Sequence, residues 1–112
     1  MPDLSQKHCL PCEGGVKPLG EEKVKQLMQL LEHWGVSANH KEIFRDFHFK
    51  DYYHTMAFVN AVAWMAHHEN HHPDLEIGYN HCKVRYTTHA IDGLSENDFI
   101  CAVKVDKVLK GL

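Results

Sequence analysis

The spacing of apolar residues changes several times along the chain, and each change predicts an element. Over 21–33, Val24, Leu27, Met28 and Leu31 recur at i, i+3, i+4 and i+7, one face of an amphipathic helix. Gly35, just beyond, predicts its stop. In 41–50, KEIFRDFHFK, Phe47 and Phe49 alternate with polar neighbours after Phe44 and predict a strand. Asp51 then stands as the N-cap of a long helix over 52–69. Met56, Phe58, Val59, Val62, Trp64 and Met65 spread around that helix, which predicts that it is well buried. Pro73 bounds it, because its ring pushes the preceding residue out of the α region.

The segment 80–89, NHCKVRYTTH, alternates strictly. Cys82, Val84, Tyr86 and Thr88 face one way, and His81, Lys83, Arg85, Thr87 and His89 the other. That is a half-buried strand. A turn holding Gly93 follows, and Ser95 caps the last helix with Asp98 placed to reach back to the cap. Phe99, Ile100, Ala102, Val103, Val105 and Leu109 cover more than one side of that helix. So apolar a helix predicts packing on the sheet and on a second subunit. Short strands fit near 35–40 and at Ile77. The order helix, strand, helix, strand, helix predicts an α+β fold, an antiparallel sheet with helices on one face.

A length of 112 residues fits one domain with one core. Residues 1–19 hold three prolines and two glycines without periodicity. They read as an N-terminal extension, docked or mobile, ahead of a single domain over 20–112. A formal net charge of −3 argues against a nucleic-acid binder that works by neutralising phosphates. No apolar run is long enough to span a membrane, and MPDLSQKHCLPCEGG has no apolar leader core. A cytoplasmic location is the expectation.

Cys82 and Cys101 fall in apolar segments and read as reduced core residues. Cys9 and Cys12 form a CxxC that is followed by Gly14, Gly15 and Pro18 instead of a helix. This favours a surface N-terminal segment over a redox or zinc motif.

The chain has eleven histidines, so only their local clustering is informative. His67–Leu75 reads HHENHHPDL, and His68 to His72 fits H-E-x-x-H. A zinc protease needs both imidazoles on one helix turn, and Pro73 argues that His72 is outside it. Two other readings stay open on the residues alone. One is a transition-metal site of His67, His68, His71 and His72. The other is a solvated helix end where imidazolium complements the dipole.

The joint pattern goes further. Asn70-His71-His72-Pro73-Asp74 is followed by the alternating strand, then Thr88-His89, Gly93-Leu94-Ser95 and Asp98. This set, ENHHPDLEIGYNHCKVRYTTHAIDGLSENDF, resembles the pterin-4a-carbinolamine dehydratase family. IFRDFHFKDYYHTMAFVNAVA is similar to the family's strand and long helix, and the N-terminal CLPCEGG to bacterial members. His67 departs from the glutamate that some members carry there, and Glu69 offers a carboxylate two residues later.

The resemblance implies a four-stranded antiparallel sheet with helices on one side, assembled as a homodimer or homotetramer. It implies removal of water from a 4a-hydroxy-tetrahydropterin, the form in which aromatic amino-acid hydroxylases leave their pterin. Neither a metal nor an organic cofactor is implied. By motif, His71 and His89 are the acid/base pair, and His72, also counted as catalytic, positions the ring with Pro73. Thr88, Ala90 and Ile91 line the pocket, and Glu69 and Asp98 support it. Animal members also serve as dimerisation cofactors of a transcription factor. A regulatory protein on the same fold, or a His/Cys metal binder, is therefore the alternative.

Overall fold

A computed structural model of the chain describes residues 4–10 and 17–112. After a 3-10 turn at Leu4–Gln6, the elements are α1 (Glu21–Met28), β1 (Gly35–Val36), β2 (Ile43–His48), α2 (Tyr52–Glu69), β3 (Asp74–Ile77), β4 (His81–Tyr86) and α3 (Glu96–Lys110), with a second 3-10 turn at His89–Ile91. The sheet has four strands in the order β1-β2-β4-β3, each pair antiparallel. The fold is the expected α+β arrangement with its helices on one face.

Register explains which face is covered. Ile43 pairs with Tyr86 and Phe47 with Cys82, so these side chains share a face with Val84. All five are buried. Phe58, Val59 and Val62 of α2 and Phe99, Ala102 and Val105 of α3 join them in one core. The alternate positions Asp46, Lys83 and Arg85 take the other face, as the period of two requires. Among the described residues no helix is long and apolar enough to cross a membrane.

The first helix is shorter than its apolar period predicts. It stops at Met28, and Gly35 opens β1 instead of ending the helix. The reason is Trp34, buried with its indole N–H donating to both carboxylate oxygens of Asp106 at 3.1 Å. Reaching the core from that side requires the chain to leave the helix, and His33 takes a positive φ of 68° to do so.

The N-terminal segment also differs from the surface reading. Leu4 is part of the core, and Cys9 Sγ lies 3.4 Å from Cys101 Sγ, both thiols being free. Residues 4–10 are thus laid against α3 and the end of α2. Cys12 lies outside the described residues. Cys82 and Cys101 are buried in the core, as their apolar surroundings predicted.

Candidate active site

The site begins where α2 ends. Asp51 caps the start of this helix, accepting the His54 N–H at 2.8 Å. At the other end Asn70 is left-handed, with φ 51° and ψ 41°, and terminates the helix. Asparagine is among the few non-glycine residues that enter this region readily. The His71 N–H still donates to the Ala66 carbonyl at 3.1 Å, so the chain turns sharply before Pro73 starts the approach to β3. His68 stays on the helix, its ring bonded to the Trp64 carbonyl at 3.0 Å, while His72 lies beyond the cap. The H-E-x-x-H pair therefore does not share a helical turn.

His71 points inward. Its Nε2–H donates to Asp98 Oδ1 at 2.6 Å, and its ring stacks on Tyr86 with centroids 5.4 Å apart and planes 15° from parallel. Burial opposes the charged imidazolium. The hydrogen bond and negative charge of Asp98 outweigh that penalty and hold the His71 pKa above the usual histidine range. Burial, and after it the neighbouring Cys101, pushes the Tyr86 phenol far up, so Tyr86 is a neutral platform. Nδ1 of His71 has no hydrogen-bond partner among the described residues.

Asp98 is fully buried and each of its oxygens is used. Oδ2 accepts the Ser95 N–H at 3.0 Å, completing the capping box of α3, and the Thr88 hydroxyl at 2.9 Å. Since the Thr88 proton is committed there, the Ser95 hydroxyl donates to Thr88 Oγ1 at 2.7 Å. One carboxylate thereby joins a helix start, the end of β4 and an imidazole.

After β4, Thr88 and Gly93 bond to each other across the turn at 2.9 and 3.4 Å. His89 sits at the head of this turn, exposed, and its side chain makes no hydrogen bond to a described residue.

A cavity of about 330 Å³ is lined by His71, His72 and His89 together with Glu69, Thr88 and Ala90. Pro73 lines an adjoining hollow of about 360 Å³ that shares His71 and His72. Ile91 is buried and is not among the lining residues of either. The sequence did not assign Cys9, Leu10, Asn70, Thr87 or Asn97 to the site, and these complete the wall of the first cavity. Asn70 stood at the head of the histidine motif and Cys9 in the CxxC, so both left a trace; Leu10 left none.

Glu69 is buried, and its surroundings tie the N-terminal segment down. It accepts the Cys9 N–H at 2.8 Å and bonds the His8 ring at 2.9 Å, with Lys104 at 3.5 Å. Burial works against its charge, but these partners outweigh it and hold the carboxyl below its ordinary range.

Three comparisons place this geometry. The sequence pattern of the family Pterin 4 alpha carbinolamine dehydratase matches residues 17–108. A protein of Nitrosomonas eutropha is 60% identical over 96% of this chain and 94% of its own length. One of Legionella pneumophila is 56% identical over 96% of each. Both are provisionally named pterin-4-alpha-carbinolamine dehydratase. Among solved structures, a transcriptional coactivator/pterin dehydratase from Brucella melitensis superposes with a TM-score of 0.78 at 28% identity, covering 82% of this chain and 98% of that one. A pterin dehydratase-like RuBisCO assembly factor of the α-carboxysome shares the fold, with a TM-score of 0.60 at 22% identity over 69% of this chain and 89% of that one.

Proposed function

The chain belongs to the pterin 4 alpha carbinolamine dehydratase family, a family of hydro-lyases, and from that premise we propose that it dehydrates a 4a-hydroxy-tetrahydropterin. The product is the quinonoid dihydropterin. The elimination needs one proton delivered to the departing 4a-hydroxyl, which leaves as water, and one proton taken from a ring N–H. Two imidazoles suffice, because each can carry or lack a proton near neutral pH.

The observation that carries this reading is the His71–Asp98 pair beside a cavity that His72 and His89 also line. His71 is assigned as the acid. Asp98 favours its protonated form, and Nδ1 is left for the substrate. His89, exposed and without a hydrogen bond to a described residue, is assigned as the base. His72 positions the ring, with Thr88, Ala90 and the adjoining Pro73 shaping the site. Ile91 contributes by packing the turn that carries His89. Asp98 and Glu69 act from behind, one on His71 and the other on the chain segment at the rim.

The test is direct. Freshly generated 4a-hydroxy-tetrahydropterin is mixed with the protein, and dehydration is followed by ultraviolet absorbance. Acceleration over the spontaneous reaction is expected. A rate equal to the spontaneous one removes the proposal and leaves a binding or regulatory protein on the same fold.

The same reading includes a homodimer or homotetramer in the cytoplasm, fed by an aromatic amino-acid hydroxylase. Exposed Trp64 on α2, Ile77 at the end of edge strand β3 and Tyr79 after it support self-association. Sedimentation is expected to give a mass of two or four chains, and a single-chain mass at micromolar concentration rejects the assembly.

A further inference from the structure

We propose that residues 8–10 form a wall of the substrate site, with Leu10 as the apolar surface against which the bound pterin rests. This builds on the dehydratase reading. It concerns a segment outside residues 17–108, over which the family pattern matches.

The first ground is position. Cys9 and Leu10 line the same cavity as His71, His72 and His89. The second is how the backbone is held there. Glu69 takes the Cys9 N–H at 2.8 Å. Asn97 grips Leu10 on both sides: Oδ1 accepts its N–H at 3.0 Å, and Nδ2 donates to its carbonyl at 2.6 Å. Both gripping residues are buried, and each comes from a different helix. Leu4, within the core, anchors the segment on its N-terminal side.

The third ground is what this clamping presents. The Leu10 side chain is 75% exposed. One exposed leucine is ordinary on a protein surface. One whose two flanking peptide groups are fixed by the buried Asn97 side chain, on the rim of a cavity rich in imidazoles, is an apolar surface set before any ligand arrives. Such a site suits a flat bicyclic ring with a polar edge and an apolar face. The imidazoles address the edge, and Leu10 covers the face. The ordering cost of the wall is already met in the free protein, which favours binding.

Leu10→Ala and Leu10→Met test this in the full chain. The side chain is exposed, so neither change is expected to move the thermal midpoint. Leu10→Ala should raise KM on the order of five- to ten-fold with kcat within about two-fold, the mark of lost ring binding shared by ground and transition states. Leu10→Met, which keeps the apolar surface, should restore KM. Calorimetric titration with dihydrobiopterin should show the same pattern in Kd. Unchanged KM and Kd in Leu10→Ala, with wild type active, overturn the wall and leave the dehydratase intact. Wild type that binds dihydrobiopterin through Leu10 without accelerating dehydration keeps the wall and removes the dehydratase. Wild type that neither binds it nor accelerates dehydration removes both.

Discussion

Replacing His89 with alanine is expected to lower kcat for dehydration by about 10²- to 10⁴-fold, the range for one general acid or base. The unfolding free energy should stay within about 0.5 kcal/mol of wild type, as for an exposed side chain with no hydrogen bond to a described residue. The side chain is exposed at the head of a 3-10 turn, and that turn is closed by Thr88 and Gly93 backbone groups that the substitution leaves alone. Loss of rate without loss of fold separates chemistry from structure. Steady-state rates and urea unfolding of the same preparation read both. A variant that retains more than half of the wild-type kcat removes His89 as the base.

Asp98→Ala should have the opposite signature, a large loss of stability together with loss of rate. The carboxylate is fully buried and has three partners: the His71 ring, the Thr88 hydroxyl and the Ser95 N–H, the last completing the capping box. Breaking a buried charge pair costs about 3–5 kcal/mol when one member is removed, and urea unfolding measures it. Asp98→Asn is the milder probe, since an amide keeps an acceptor for Thr88 and Ser95 but no negative charge.

The charge has a pH signature. The folded His71 pKa lies above the ordinary value of 6.5, so protonation favours the folded state. That contribution is complete below pH 6.5 and fades as pH rises through the folded pKa. Wild-type stability should therefore carry a component that declines above neutrality, and Asp98→Asn should flatten it. The alkaline limb of kcat, where His71 loses the proton it must donate, should move to lower pH in the same variant. An unchanged pH profile in Asp98→Asn means that the carboxylate does not set the proton affinity of His71.

Local features were legible in the sequence. The alternation of 80–89 placed Cys82, Val84 and Tyr86 on the buried face because a strand has only two sides. Ser95 and Asp98 were readable as a cap because the bond spans three residues. What the alternation could not show is that the other oxygen of the same carboxylate reaches His71, 27 residues away. The end of α1 was misplaced for a similar reason. Val24, Leu27, Met28 and Leu31 continue the helical period, but Trp34 is drawn out of it by Asp106, 72 positions later. The N-terminal segment was opaque. Its ties to Glu69, Asn97 and Cys101 bridge 60 to 92 positions, and no periodicity records a contact of that kind. The histidines of the cavity were identifiable only because the joint motif resembled a family; spacing alone left a metal site and a solvated helix end open.

Those long ties also order events in time. His71 and His89 are carried on neighbouring pieces of chain, joined through the β3–β4 hairpin, and can approach each other early. Leu4 to Leu10 leave the ribosome ahead of every one of these, yet their anchors on Asn97 and Lys104 belong to α3, which follows all the other described elements. Closing such distant loops is slow relative to forming a hairpin. A nascent chain would thus gain both the N-terminal wall and the Asp98 partner of His71 only once translation of α3 is over.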